Sequence, residues 1–432
     1  MVDYPLSGIR VLDLCQLFAG NNANYLLADL GAEVIKLESI QYWQHGVRGG
    51  QAHPSRELIR RVAQGGTYLD LEPGERPWER YSWFHAHGRN KLSMTVDLRR
   101  PEGVDVFKKL VKVSDVFIEG NSAETVEKLG IDYPVLKELN PALIMLRMPG
   151  YGLTGPYRSF SAQAQNLEAF CGHTLLRGYP DMDTSSIPQV IASNAAAGAG
   201  AAAAVLMALR YRRRTGKGQL IELAQVENFM PQLGEAFMDY LLNGRVQGTR
   251  GNRDSSAAPC GVFPCAGEDR WVAITVHDDE EWAGLRRALG DPEWARAPEL
   301  STVVGRYGKQ DELEQHLAEW TRLRTPWEAA SALQKEGVPA GPVYDPKDVL
   351  ADPHFRARGH FQTITHPEVG SYETVAIPFK MSEVELRIQR PAPTLGQHNE
   401  YVYKELLGYG DEEYGRLERE GHIGTAPGPH IP

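Results

Sequence analysis

The fold is decided by residues 186–223, whose sequence is SIPQVIASNAAAGAGAAAAVLMALRYRRRTGKGQLIEL. Within it, residues 195–209 form an apolar run without charge or proline, which predicts a helix with Ser193 or Asn194 as its N-cap. Because the run is apolar around the whole helical circumference, we expect the helix to be buried on all sides. Two glycines follow the basic end of this helix, and residues 219–223 predict a strand.

Composition and charge exclude several classes of function. The 432 residues are 42% hydrophobic and 24% charged, which is typical of a water-soluble protein with two or three domains. A net charge of −10 argues against nucleic acid or an anionic membrane as the main partner. The first residues lack the segments of a signal peptide, and no apolar run approaches the roughly 20 residues that span a bilayer. We therefore expect a cytoplasmic protein that binds neither nucleic acid nor membrane.

The cysteines predict neither disulfide bonds nor a metal site. Cys15, Cys171, Cys260 and Cys265 are too few and too scattered for a disulfide framework. Cys260 and Cys265 have no second His or Cys pair at matching spacing nearby, as a zinc site requires. We expect buried thiols and no bound metal.

The N-terminal segment predicts a βαβ unit. Arg10–Leu14 and residues 33–37 have the composition of buried strands, and residues 21–30 between them predict a helix. The loop after the first strand, QLFAGN at residues 16–21, lacks the G-x-G-x-x-G motif that lets a backbone approach a pyrophosphate. The pattern therefore indicates an α/β fold but argues against a nicotinamide dinucleotide as its ligand.

A basic loop precedes another predicted strand. In GRNKLSMTVDL, residues 88–98, Arg89 and Lys91 flank Asn90. Two cations and an amide in one loop suit contacts with phosphate groups or adenine. We predict that Arg89, Asn90 and Lys91 bind a ligand, and the alternative is a basic loop exposed to solvent.

These segments resemble the class III (CaiB/BaiF-type) CoA-transferase family. Family-like motifs occur in matching order: DLCQLFAG at residues 13–20, the basic loop at 88–98, GYGLTGPY at 150–157, TGKGQ at 215–219, GVPAGPV at 337–343 and LGQHN at 395–399. Their shared order is much more specific than any one motif, and the resemblance extends over most of the chain.

The resemblance implies a fold and a domain organisation. The fold would be α/β, with a Rossmann-like large domain built from both chain ends and a smaller inserted domain, in an interlocked dimer. Residues 1–225 and 341–432 would form the large domain, residues 226–258 a linker and residues 259–340 the small domain. Residues 41–77, which are polar and weakly periodic, predict an insertion or flap.

The resemblance also implies the roles of particular residues. In the family, an aspartate at the start of the small-residue helix is the nucleophile that takes the acyl group from a CoA thioester. Counting back from the TGKGQ motif places that position on Asn194. The positions that correspond to Phe18 and Ala19 lie beside CoA, and the basic loop with Arg89 resembles another CoA-contacting motif.

An amide at this position changes the chemistry. A carboxylate attacks a thioester, forms a mixed anhydride and is released again after exchange, whereas a neutral amide is a very weak nucleophile. We therefore interpret the chain as the non-nucleophilic subunit of a heteromeric CoA-transferase, which resembles succinyl-CoA:(R)-benzylsuccinate CoA-transferase in having two homologous subunits. Its substrates would be an acyl-CoA and a carboxylic acid. CoA thioester would be a substrate, and no cofactor would be bound permanently.

Three alternatives remain open from the sequence. The chain forms an active homodimer in which Glu168 replaces the aspartate, it binds CoA without catalysis, or Asn194 is an engineered replacement of aspartate. Related enzymes of the same superfamily are racemases, but racemase activity is not expected here. The resemblance implies that this chain lacks both the histidine and the aspartate that move the proton in those enzymes.

Overall fold

The computed structural model describes residues 4–62 and 68–431, and the chain divides into two compact units. The first unit contains the described residues of Met1–Cys171, Gln189–Phe237 and Ala357–Pro432, and the second contains Gly172–Pro188 and Met238–Arg356. Residues 63–67 of the predicted insertion lie outside the described residues. The boundaries predicted for the linker and the small domain remain a prediction.

The strands, in chain order, are β1 (Arg10–Leu14), β2 (Glu33–Glu38), β3 (Leu92–Thr95), β4 (Val116–Glu119), β5 (Ile144–Arg147), β6 (Gln219–Glu222), β7 (Cys260–Pro264), β8 (Trp271–Thr275), β9 (Ala340–Pro342), β10 (Phe361–His366) and β11 (Gly370–Val375).

The helices are α1 (Phe18–Asp29), α2 (Arg56–Val62), α3 (Ser82–Gly88), α4 (Pro101–Lys112), α5 (Thr125–Lys128), α6 (Tyr133–Leu139), α7 (Ala164–Phe170), α8 (His173–Leu176), α9 (Ala192–Thr215), α10 (Gln225–Phe229), α11 (Gly234–Asn243), α12 (Asp279–Ala288), α13 (Val303–Tyr307), α14 (Gln310–Thr321), α15 (Pro326–Lys335), α16 (Pro346–Ala351), α17 (Pro353–Ala357) and α18 (Asp411–Arg419).

A parallel sheet organises the first unit and confirms the predicted α/β fold. Its strand order is β3-β2-β1-β4-β5-β6, and every neighbouring pair is parallel. The order of strand addition reverses between β1 and β4, so the loops that follow these two strands leave the sheet in opposite directions. In open α/β sheets, a ligand crevice lies at this point, outside the carboxyl ends of the strands.

Helices cover both faces of this sheet because its strands are apolar on both sides. Successive residues of β1, Val11 and Leu12, belong to two different hydrophobic clusters, as the alternation of side chains along a strand requires. One cluster includes residues of α4 and the C-terminal α18, and the other includes residues of α1 and α9. The C-terminal segment of the chain therefore completes the core that the N-terminal strands begin.

The second unit has its own core. Strands β7, β8 and β9 form an antiparallel sheet in that order. Phe263, Val272 and Ile274 of this sheet pack with Leu285 of α12 and Leu317 of α14. The unit therefore has the apolar sheet and helices that a separate compact body needs.

Helix α9 packs very closely against α1. A Cβ atom built on Gly198 would lie 2.4 Å from the Cβ of Asn22 and 2.9 Å from the carbonyl oxygen of Ala19. No larger residue fits between these two helices without moving one of them. The small-residue stretch of the sequence thus has a direct structural reason.

Helix α9 is buried on one face only, so the prediction of burial on all sides is wrong. Ala197, Ala201 and Val205 are fully buried, whereas Leu206 and Met207 are 38% and 66% exposed. By length and composition alone, Ala192–Thr215 is suited to cross a membrane, which the apolar run 195–209 did not indicate. Its packing against α1 identifies it instead as a core helix of the first unit.

Two other regions differ from the prediction. Helix α1 begins at Phe18, three residues before the predicted start, and the ring of Phe18 packs against Trp83 with centroids 4.1 Å apart. The first part of the predicted linker is helical, since residues 225–243 form α10, a 3₁₀ turn at Met230–Leu233 and α11. Pro231 lies in that turn, where its missing N–H interrupts a continuous helix.

We predict that Gly198→Ala lowers the free energy of unfolding by about 1–2 kcal/mol, because the cost of overpacking exceeds the gain in helix propensity. In the control Gly415→Ala in α18, the new Cβ meets only the flexible end of Arg419 at 3.3 Å, so this variant should be neutral or more stable. Chemical denaturation of both variants tests this, and equal stability of the two would contradict the close packing of α1 and α9.

The half-buried His398 predicts acid sensitivity. Burial, with the nearby charge of Arg390, lowers the pKa of His398 to about 4, while the unfolded side chain titrates near 6.5. The unfolded state therefore binds more protons between about pH 4 and 6.5, and stability falls as the pH falls through this window. His398→Asn removes the titrating ring, so the pH dependence of stability should decrease. The new amide oxygen can still accept the hydrogen bond that the Ser93 N–H donates to Nδ1 of His398 at 3.2 Å. The exposed control His354→Asn should keep it, and an unchanged slope in both variants would refute the prediction.

Candidate active site

A cavity of about 230 Å³ lies at the carboxyl edge of the parallel sheet in the first unit. The loops that follow β1, β4 and β5 contribute to its wall, together with the starts of α1, α7 and α10 and the first turn of α9. The residues that line it are Cys15, Gln16, Leu17, Ala19, Gly20, Gly120, Asn121, Ser122, Gly150, Phe160, Ser161, Ala162, Gln163, Ala164, Leu167, Asn194 and Gln225. Its position agrees with the crevice that the strand order predicts.

Asn194 lies inside the first turn of α9 and not at its N-cap. The helix begins at Ala192 with Ile191 as N-cap, and the apolar side chain of Ile191 has no atom that can accept a backbone hydrogen bond. The predicted N-cap, Ser193 or Asn194, is therefore wrong by two or three residues. The side chain of Asn194 is free of this capping role, and the residue lines the cavity.

Glu168 of α7 supplies the missing cap from a different helix. Its Oε1 atom accepts a hydrogen bond from the backbone N–H of Ser193 at 2.7 Å. A carboxylate at this place satisfies one of the free N–H groups and is favoured by the positive end of the helix dipole. Glu168 is 2% exposed and is not among the residues that line the cavity. Its carboxylate therefore stabilises the start of α9 from behind the cavity wall.

The cavity wall carries no formal charge. Among the described residues that line it, none is Asp, Glu, Lys, Arg or His. Burial, together with the negative charge of Asp13, raises the pKa of the Cys15 thiol well above its usual value, so Cys15 stays protonated. The polar part of the wall consists of hydroxyl groups and of the amides of Gln16, Asn121, Gln163, Asn194 and Gln225.

Hydrogen bonds hold two of these amides in place. Gln225 Nε2 donates to the carbonyl oxygen of Met148 at 2.8 Å. Asn121 Nδ2 donates to Glu119 at 3.2 Å, and Glu119 in turn accepts from Arg147 Nε at 2.7 Å. Burial raises the pKa of Glu119, although its pairing with Arg147 opposes this effect. The loop after β4 and the start of α10 are thereby both tied to the end of β5.

A second buried ionic cluster supports the loop after β1. Asp13 lies 3.3 Å from Lys36 Nζ and 3.0 Å from Lys91 Nζ, and all three side chains are almost completely buried. Burial raises the pKa of Asp13, but the two lysines outweigh it and hold the pKa below its usual value. Lys36 also donates to the carbonyl oxygen of Cys15. This cluster fixes the backbone from which the β1 side of the cavity is built.

The predicted CoA-contacting residues occupy three different places. Ala19 lines the same cavity as Asn194. Phe18 lies outside it, in an aromatic cluster with Trp83 and with His87, whose ring centroid is 4.9 Å away. Burial lowers the pKa of His87 to about 4, so this ring is neutral near pH 7. Of the five predicted residues, the structure therefore brings only Ala19 into the cavity with Asn194.

The basic loop is buried, with its cations paired. Arg89 Nη2 donates to Asp29 at 2.7 Å, and its guanidinium lies 4.8 Å from the ring centre of Tyr25. Asn90 Nδ2 also donates to Asp29, at 2.8 Å. Lys91 belongs to the cluster around Asp13. In the chain by itself these residues hold α1 to the loop, and their contact with CoA remains a prediction.

Sequence reasoning missed Gln16, Asn121 and Gln225 as cavity residues. Each follows a strand of the parallel sheet directly or within three residues. The rule that ligands bind at the carboxyl edge near the reversal of strand order would have found them once the order was known. Across the described part of the chain, no group of three or more His, Cys, Asp or Glu side chains is arranged to hold a metal ion.

Comparisons with known proteins agree with the motif resemblance. The model of the family described as CoA-transferase family III matches residues 6–399. The chain is 33% identical to the succinyl-CoA–D-citramalate CoA-transferase of Chloroflexus aurantiacus, with 96% of this chain and 97% of that protein aligned. It is 35% identical to the alpha subunit of the succinyl-CoA–L-malate CoA-transferase of the same organism, over 96% and 91% of the two chains. The beta subunit is 33% identical, over 96% of each chain.

A solved structure extends this likeness to the fold. The crystal structure of a CAIB/BAIF family protein from Brucella suis superposes on this chain with a TM-score of 0.79 at 31% identity. The alignment covers 94% of this chain and 100% of that one. The similarity therefore includes both units of the chain.

We predict that Arg89→Met destabilises the chain by about 3–5 kcal/mol, because it leaves the buried carboxylate of Asp29 without its cation. The double variant Asp29→Leu/Arg89→Met should recover much of this loss, since it removes both buried charges. The exposed pair of Arg416 and Glu420 provides the control, and Arg416→Met should change stability little. Chemical denaturation checks all three variants. If Arg89→Met keeps the stability of the wild type, the buried pair does not have the structural role described.

Proposed function

Because the chain belongs to CoA-transferase family III, we propose that it is the non-nucleophilic subunit of a heteromeric CoA-transferase that moves CoA from an acyl-CoA donor to a carboxylic acid. The observation that carries this proposal is the amide of Asn194 in the cavity at the start of α9. The motif resemblance places the nucleophilic aspartate of the family at this position.

The chemistry explains why the amide matters. In the proposed cycle, an aspartate carboxylate attacks the thioester carbonyl, the C–S bond breaks, and CoA leaves as a thiolate. The thiolate attacks the aspartyl carbonyl of the resulting mixed anhydride and releases the donor acid. The acceptor carboxylate then attacks the aspartyl thioester and displaces CoA thiolate, which leaves a new mixed anhydride. This thiolate finally attacks the anhydride at the acceptor's carbonyl and frees the aspartate. Asn194 has no carboxylate oxygen with which to begin.

A homologous partner would supply the missing carboxylate. Two relatives with similar identity to this chain are named as the alpha and beta subunits of one CoA-transferase, which supports a heterodimer or heterotetramer of homologous chains. In the proposed assembly the large domains are Rossmann-like and the two chains interlock. The substrates are an acyl-CoA and a carboxylic acid, and the location is cytoplasmic.

Glu168 is the basis of the alternative, an active homodimer. It is buried close to Asn194, since it binds the N–H of the preceding residue. Its carboxylate, however, caps α9 and does not belong to the cavity wall. Removing that carboxylate for catalysis would cost the helix its cap, so the geometry favours a positioning role for Glu168.

The test is CoA exchange by the purified chain, alone and co-purified with its partner subunit. The substrates are a panel of aliphatic, aromatic and dicarboxylic acyl-CoA thioesters, each with a free acid. We predict exchange by the complex, and for the isolated chain we predict an exchange rate that is lower by a factor of roughly 1,000 or more. Asn194→Asp should confer exchange on the isolated chain. The control Gln225→Glu, which places a carboxylate elsewhere in the same cavity, should not.

Two outcomes would decide against the proposal. Efficient exchange by the isolated wild-type chain would refute a silent subunit, and its loss in Glu168→Gln would support the alternative homodimer. CoA binding without any exchange by the chain or the complex would indicate a non-catalytic CoA-binding protein.

A further inference from the structure

The wall of the cavity beside Asn194 is neutral, and this bears on which acyl groups it can hold. The cavity contains amides and small apolar side chains, and no cation among its described lining residues is available to pair with a carboxylate. The buried cations nearby already have partners: Arg147 binds Glu119, and Lys36 and Lys91 bind Asp13. A dicarboxylic acyl group, which keeps one free carboxylate when its other carboxyl group forms the thioester, would therefore enter the cavity without a counter-charge.

A carboxyl side chain lies behind the wall of the cavity. Glu168 follows the lining residue Leu167 directly in sequence, and its carboxylate is held at the first turn of α9. Asn194, in the same turn, is the residue that meets the cavity. The first turn of α9 therefore presents an amide to the cavity and not a cation that could pair with an anionic acyl group.

An exposed aromatic cluster adjoins the cavity. Phe160 lines the cavity and is 53% exposed, and its ring centroid lies 4.9 Å from that of Tyr157 and 6.0 Å from that of Tyr151. Phe170 completes the cluster, 5.0 Å from Tyr151. Exposed aromatic side chains that pack on one another, beside a neutral cavity, form a surface suited to another apolar group or ring.

We propose that this cavity binds the acyl end of a CoA thioester whose acyl group is uncharged and aromatic or alkyl, and that it discriminates against dicarboxylic acyl groups. The inference rests on the proposed function, because it takes the bound molecule to be a CoA thioester. It adds the class of acyl group. Phe160 is the residue that determines this specificity, since it belongs both to the cavity wall and to the aromatic cluster.

Unreactive thioethers of CoA test this by isothermal titration of the full chain. The ligands are free CoA, S-butyl-CoA, S-benzyl-CoA and S-(3-carboxypropyl)-CoA, and the last differs from S-butyl-CoA mainly by its carboxylate. We expect S-butyl-CoA and S-benzyl-CoA to bind about tenfold or more tightly than the carboxypropyl compound. Phe160→Ala should weaken S-benzyl-CoA by about tenfold and leave free CoA unchanged. The control Phe379→Ala removes a phenylalanine that is 43% exposed and lies outside the cavity, and it should change neither.

Each other outcome contradicts a stated part of the account. If the carboxypropyl compound binds as tightly as S-butyl-CoA while free CoA also binds, the specificity inference fails and the proposed function stands. If S-benzyl-CoA binds equally to wild type and Phe160→Ala, the aromatic cluster does not select the acyl group. If none of the four ligands binds, the specificity inference and CoA binding by this chain both fail.

Discussion

The close contact between α1 and α9 is the constraint on which the site depends. Gly198 brings α9 against the backbone of α1 at Ala19, and the buried alanines of α9 continue the contact. This packing sets the first turn of α9 beside the loop that follows β1, at the carboxyl edge of the sheet. The position of Asn194 therefore follows from the steric requirement at Gly198, which lies about one turn further along the same helix.

Buried charges then hold the surrounding loops without charging the cavity. Asp13 joins β1 to Lys36 of β2 and to Lys91 in the loop before β3. Asp29 with Arg89 joins the end of α1 to the loop after α3, and Glu119 with Arg147 joins the ends of β4 and β5. Buried ion pairs of this kind are costly to break because each partner would be left uncompensated. Glu168 adds a carboxylate at the start of α9, while Asn194 presents only an amide to the cavity. The outcome is a neutral cavity in a family whose proposed chemistry needs a carboxylate there.

Much of the fold was predictable, because the apolar strands and the motif order are local features of the sequence. The βαβ opening, the strand at residues 219–223 and the α/β class were found in this way. The errors come from partners that are distant in sequence. Glu168 caps a helix that begins 24 residues later, and Arg89 and Lys91 pair with Asp29 and Asp13, so a loop that looks suited to phosphate is buried. The exposed face of α9 was also missed, because its alanines look apolar on every side.

The central claim is that this chain never carries the acyl group or CoA covalently. The most direct measurement is the intact mass of both subunits, taken from the complex quenched by acid during turnover of an acyl-CoA with a free acid. The account predicts an added acyl or CoA mass on the partner subunit and an unmodified mass for this chain. A covalent adduct on any side chain of this chain would contradict it.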